Sequence, residues 1–215
     1  MLKIEKFKMN LLEENCYVVS DKTGECCIVD CGAQNESEME DLYAYISDNN
    51  LSPVHLLATH GHFDHNWGNR FVEQKYGLKV ELFERDEDLL MDMEGQEKQI
   101  FGSRMTDYPT PQIGKLLEEQ DKIRFGNHEF SIISTPGHSP GSCFFICEEE
   151  KVAFSGDTLF RGSIGRTDFM GGSSFMIIMS LRQICQLPDD IKLYPGHGPE
   201  TTVGYECATN MYLDR

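Results

Sequence analysis

The segment ATHGHFDHNWGN, residues 58–69, places His60, His62, Asp64 and His65 within six positions of a chain that has seven histidines in 215 residues. It follows the apolar run 54–58 and precedes a helical pattern near Gly68, so it reads as a strand-to-helix loop. Three further residues recur in a similar setting. STPGHSPGS puts His138, VAFSGDTLF puts Asp157 and KLYPGHGPE puts His197 beside a glycine after a strand-like run. Imidazole nitrogen and carboxylate oxygen are the donors that zinc, iron and manganese prefer. One ion has no use for so many ligands, whereas two ions about 3.5–4 Å apart do. A chain with this pattern must bring several strand ends to one rim of a sheet structure, and the adjacent glycines allow the sharp turns this needs.

The rest of the chain supplies those strands. KIEKFKM alternates as a strand, and NCYVVS and ECCIVD form a hairpin turning at residues 21–24. Residues 36–48 have helical spacing with Asn35 or Ser37 as a cap. GNRFVEQKYG reads as a helix ended by Gly77, KVELFE as a strand and RDEDLLMDM as a short helix. Residues 94–120 have no clean period and read as a long surface excursion, a candidate lid. Two hairpins follow, turning at Gly126 and Asn127 and again at residues 148–151. SSFMIIMSLRQICQL is a helix, IKLYPG a strand, and the end a short helix. This order suits one domain over residues 1–215, a sandwich of mixed sheets covered by helices. It lacks the regular βαβ alternation and GxGxxG of a dinucleotide-binding fold.

Composition narrows the function classes. Lys and Arg number 19 against 36 Asp and Glu, a formal net charge of −17. Nucleic-acid binding through a basic face is not expected of such a chain, and bound divalent ions would offset part of the charge. No apolar run reaches the roughly 18–20 residues of a membrane span, and the N-terminus shows no apolar signal region, so a cytoplasmic protein without a membrane partner is expected. The eight cysteines are expected to be free thiols acting as small buried hydrophobes. Cys26 and Cys27 fall on opposite strand faces, and Cys143 and Cys147 lie four apart in a second strand, which makes no Cys₄ zinc site. His55 and His128 read as isolated surface or capping histidines, and Trp67 as a packing residue.

These motifs together resemble the metallo-β-lactamase superfamily, and within it the short glyoxalase II-like hydrolases. THGHFDH is similar to the family's THxHxDH, STPGHSPGS to its PGH(T/S)PGS loop, SGDTLF carries its aspartate, and PGHG its last histidine. IVDCG resembles IVDPG with Cys31 in place of proline, and FRGSIGRTDF and PGHGPETTVGYE look like the short single-domain members. The resemblance implies a four-layer αββα sandwich of two mixed sheets flanked by helices. It implies that His60, His62 and His138 hold one metal, that Asp64, His65 and His197 hold a second, and that Asp157 bridges them. Two divalent ions, zinc with iron or manganese as alternatives, would supply a bridging hydroxide that attacks a thioester or ester carbonyl of a small-molecule substrate. Asp64 would also orient the hydroxide, and Asp30 would support the ligands from behind.

Departures from the wider family refine this expectation. His65 and Asp157 differ from the B1 zinc β-lactamases, where an arginine or similar group and a cysteine stand at these positions. Only 18 residues follow His197 (215 − 197), so no counterpart is expected of the helical extension with which full-length glyoxalase II grips glutathione. The rival reading is a persulfide dioxygenase holding one iron at His60, His138 and Asp157, since GRTDF also resembles that family. Arg161 and Arg166, just past the aspartate, are candidates to grip an anionic substrate group, and Tyr108 with the 94–112 loop is a candidate pocket wall.

Overall fold

The computed structural model describes residues 1–107 and 109–213. Two six-stranded sheets face each other. The first runs β1 (Lys3–Met9), β2 (Glu14–Ser20), β3 (Glu25–Val29), β4 (Ser52–Ala58), β5 (Val80–Phe83) and β6 (Ile113–Leu117) in spatial order. Its first three strands are antiparallel, and β3 through β6 are parallel. The second contains β7 (Lys122–Phe125), β8 (His128–Ser134), β9 (Cys143–Cys147), β10 (Val152–Gly156), β13 (Lys192–Pro195) and β14 (Thr201–Thr202), ordered β14-β13-β10-β9-β8-β7. Strands β7 to β10 form an antiparallel meander, and β13 lies parallel to β10. A small hairpin of β11 (Leu159–Phe160) and β12 (Ser163–Ile164) interrupts the second half.

The expected αββα sandwich follows from the burial of both faces of both sheets. Alternate residues of one strand enter different cores. Val18 and Cys26 pack with the helices α1 (Glu40–Asp48) and α2 (Asn69–Tyr76), while their neighbours Val19 and Cys27 pack between the sheets. In β9, Phe145 points between the sheets, and Phe144 points to α5 (Ser174–Ile184) and α6 (Val203–Thr209). The period of two therefore loads two cores at once. All eight cysteines are free, and seven are buried, as their reading as small hydrophobes anticipates.

Most local expectations hold. Asn35 caps a 3₁₀ turn at Glu36–Met39 that runs into α1. Gly77, at φ +73°, ends α2. At the end of the sandwich away from the β3 and β4 termini, buried Asp21 ties both sheets together. Its carboxylate accepts from Thr23 N in its own turn, from Asn127 N in the β7–β8 turn and from His128 Nδ1 at the start of β8. Burial works against its charge, but these bonds hold its pKa below the usual range. His55 and His128, read as isolated surface or capping histidines, are instead strand residues engaged with Glu81 and with Asp21 and Glu150. No described helix is long and apolar enough to cross a membrane.

The reading of residues 94–120 as a surface excursion is corrected at 94–101 and 113–117. After α3 (Glu87–Met91), α4 (Met93–Phe101) is a helix, and β6 closes the edge of the first sheet. Its pattern is hidden because α4 buries Gln96 and Glu97, polar residues bonded to another loop, in place of an apolar stripe.

The central core rests on large aromatics, with Phe154 fully buried against Tyr17, Phe130 and Tyr194. Phe154→Ala is expected to lower the unfolding free energy by about 3–5 kcal/mol, measured by denaturant unfolding. A loss below about 1 kcal/mol would show that the sheets do not depend on this contact.

Candidate metal centre

Four strand ends deliver the expected residues to one rim. β4 ends at Ala58 and leads into the loop with His60 and His62 and the 3₁₀ turn Phe63–His65. Asn66 Nδ2 fastens this loop by donating to the carbonyls of His60 and His62, at 3.0 and 2.8 Å. The β8–β9 loop carries His138, and Cys143 N donates to Thr59 O at 3.0 Å, which joins the two sheets here. Asp157 follows β10, and His197 follows the parallel strand β13. Gly196 N donates to Gly156 O at 2.8 Å, holding these two ends together. A Cβ on Gly196 would lie 2.2 Å from Asp157 Oδ1 and 2.6 Å from His65 Cε1, so only glycine permits this approach.

The hydrogen bonds fix which ring nitrogens face inward. His60 Nδ1 lies 3.1 Å from Thr59 Oγ1, whose own proton goes to Asp30 Oδ2. His65 Nδ1 is 3.0 Å from Asp30 Oδ2, His138 Nδ1 is 2.8 Å from Arg166 O, and His197 Nδ1 is 3.1 Å from Leu12 O. Each of these rings has its Nδ1 held by an oxygen behind it, which turns Nε2 toward the centre. His62 is turned the other way, with Nδ1 2.8 Å from His138 Nε2. Asp30, at φ +53°, also accepts from Thr59 N at 2.7 Å, so one strained aspartate positions two ligand-type histidines.

The inward atoms fit a cation. His60 Nε2, His65 Nε2 and Asp157 Oδ1 are buried with no hydrogen-bond partner, a costly arrangement unless something binds there. Asp157 Oδ1 is 3.4 Å from His65 Nε2, while Oδ2 is 3.7 Å from His138 Nε2 and 3.5 Å from His197 Nε2. Asp64 Oδ2 is 3.4 Å from His197 Nε2 and 3.8 Å from His65 Nε2. Donors about 2.1 Å from one tetrahedral ion stand about 3.4 Å apart, so these spacings suit a shared ion. Among the described residues four groups have donor atoms within 4.8 Å: His60, His62 and His138; Asp64, His65 and His197; His60, His65 and Asp157; and, behind the centre, Glu14, Asp30 and His65.

The electrostatics divide the centre. Burial pushes His60 well below its usual pKa, helped by His65 and His62. Burial, with His138 adding, pushes His62 down to about 3. Both rings are neutral donors at pH 7. Burial also works against charge on Asp157, but His197 and His65 hold its pKa well below the carboxylate range. Asp64 is likewise held low against burial by His65 and His197. Two ionised buried carboxylates draw positive charge into the site.

Several supporting residues carry no sequence signal. Asp86, fully buried, accepts from Gly61 N at 2.8 Å, Ser139 Oγ at 2.6 Å and Gly141 N at 2.5 Å. It clamps the two loops that carry His60, His62 and His138, yet it sits in an acid-rich stretch, RDEDLL, where nothing marks it. Gln96 accepts from Phe63 N and donates to Gly61 O, and Glu97 accepts from Trp67 Nε1. Trp67 is buried against Phe63, as its reading as a packing residue anticipates. Glu14, buried behind His65, accepts from Gly32 N, and burial raises its pKa well above the usual range. Arg161 lies over the Tyr205 ring and does not line the cavity. Arg166 does line it, but it is bound to Asp168. Tyr108 lies outside the described residues.

Residues 9–197 match the family described as the metallo-beta-lactamase superfamily. The chain belongs to the metallo-β-lactamase superfamily. It is 34% identical to the hydroxyacylglutathione hydrolase GloC of Haemophilus influenzae over 99% of both chains. Crystal structures of TTHA1623 in a di-iron-bound form and of the BLEG-1 B3 metallo-β-lactamase superpose with TM-scores of 0.84 and 0.86, at 34% and 32% identity. The alignments cover 97% of this chain and 100% of the first, and 98% of this chain and 99% of the second. The superfamily's His/Asp metal-binding chemistry matches the donors gathered here.

The Asp86 clamp gives a direct test. Asp86→Ala leaves three buried donors without an acceptor and is expected to lower stability by about 3 kcal/mol, read by denaturant unfolding. A loss below about 0.5 kcal/mol would show that the two loops hold their places without it.

Proposed function

We propose that the protein is a metal-dependent thioester hydrolase. His60, His62 and His138 would hold one divalent ion, Asp64, His65 and His197 would hold a second, and Asp157 would contribute to both. The observation that carries this reading is the set of buried donor atoms on His60, His65 and Asp157, without hydrogen-bond partners and within 4.8 Å of one another. Zinc suits these donors, as do iron and manganese. Divalent ions in such a site lower the pKa of water toward about 7 and polarise a carbonyl. The remaining steps belong to the chain. Asp64 would orient the attacking water beside the scissile carbonyl. Phe63, Phe160 and Phe169 wall the cavity and limit bulk water, which strengthens the field of the charged groups. Asp30, Thr59 and the carbonyls of Leu12 and Arg166 keep the imidazoles in the required tautomer. The cavity, about 450 Å³, suits a small-molecule substrate. The similarity to a hydroxyacylglutathione hydrolase across the whole chain supports hydrolysis of a thioester in particular.

The test is a substrate panel on the purified protein: S-lactoylglutathione, simple acyl thioesters, an aryl ester, a lactone and a cephalosporin. Thioester turnover should dominate. His62→Ala and Asp157→Asn should each lower kcat/KM by more than about a hundredfold, the upper end of what indirect supporting residues cost, and should lower bound metal. Unchanged rate and metal content in both variants would overturn the assignment, and preference for the cephalosporin would move the protein to the β-lactamases.

A further inference from the structure

The walls around the centre are apolar and come from five different places. Leu12 reaches in from the β1–β2 turn, Phe63 from the ligand loop, Ile100 from α4, Phe160 and Ile164 from the β11–β12 hairpin, and Phe169 from the segment beyond it. Apart from the site histidines, Arg166 is the one cation among the described residues lining the cavity. Its guanidinium is already engaged. Nε donates to Asp168 Oδ1 at 2.7 Å and Nη2 to Oδ2 at 2.8 Å, and the group lies 3.7 Å over the Phe169 ring. What Arg166 gives the centre is its backbone carbonyl, the acceptor for His138 Nδ1. A substrate carboxylate gripped by Arg166 would have to displace Asp168. An uncharged alkyl group meets no such cost and gains from every apolar contact.

The apolar surface also extends outward. Leu12 and Ile100 are 36% and 39% exposed at the mouth, with Leu11 and Met170 more exposed beside them. Met170 and Ile100 line a small recess next to His62 and Phe169. A cavity of about 450 Å³ encloses a group of modest size and leaves a peptide- or nucleotide-sized carrier to exit through the open side.

We propose that the cavity is an acyl site for an uncharged, medium-length alkyl chain, with Leu12, Ile100 and Phe169 setting its length preference. This rests on the thioester-hydrolase reading only for the bond that is cleaved; the alkyl site stands on the wall chemistry alone.

Two measurements separate the two claims. The first is calorimetric binding of acetate, butanoate, hexanoate and octanoate to the protein as purified. Affinity should tighten about three- to fourfold per added methylene. Ile100→Asn, at a partly exposed position that can accept a polar residue, should weaken octanoate about tenfold more than acetate. The second is kcat/KM on the matching acyl series of N-acetylcysteamine thioesters, with S-lactoylglutathione as comparator. A rising series that overtakes S-lactoylglutathione supports the proposal. A flat series, chain-independent carboxylate binding, or preference for S-lactoylglutathione overturns it while leaving the hydrolase reading intact. Chain-dependent binding with no thioester turnover supports the alkyl site and overturns the hydrolase reading.

Discussion

The centre depends on a simple property of histidine: the ring has two nitrogens, and a hydrogen bond at one decides what the other can do. Four of the five clustered histidines have Nδ1 held by an oxygen behind them, on Thr59, Asp30, Arg166 and Leu12. This aims Nε2 at the centre before any ligand arrives. An imidazole free to rotate or change tautomer would have to be ordered on binding, at a cost in entropy. Here that cost is met during folding by strand ends that are already rigid.

The strands make this possible because their ends are set by register. Asp157 and His197 emerge from parallel neighbours β10 and β13, paired at Gly156 and Pro195. His60 emerges from β4, whose parallel neighbour β3 ends just before Asp30. Parallel pairing puts successive carboxyl ends at the same edge, the arrangement by which open α/β sheets assemble sites from distant segments. A shift by one residue in any of these strands would turn a ligand away from the centre and expose its core residues at once. Stability of the sandwich and geometry of the site are therefore the same constraint.

The sequence carried this much because its signals are local and chemically distinctive. THGHFDH, PGHS, GDT and PGHG each pair a donor side chain with glycine, and such a pattern has few structural alternatives. Strand periodicity, the turns at residues 21–24 and at Gly126 and Asn127, and the Gly77 helix end were readable for the same reason. What stayed hidden depends on contacts across the chain. Asp86 is one acidic residue among several until the fold buries it between two loops. Helix α4 was invisible because its inward residues, Gln96 and Glu97, serve hydrogen bonds in place of an apolar stripe. Arg166 looked available for a substrate anion, and the structure gives its side chain to Asp168 and its carbonyl to His138. Burial, pairing and tautomer are properties of the folded state, and residue type alone does not reveal them.

The central claim is that the gathered donors form a site for a pair of divalent ions. Elemental analysis of the protein purified without added metal tests it most directly. The account predicts about two divalent ions per chain, as a paired site requires. About one iron per chain would contradict the two-ion assignment and favour single-iron oxygen chemistry, and a metal-free protein that still turns over thioesters would remove the metal from the account altogether.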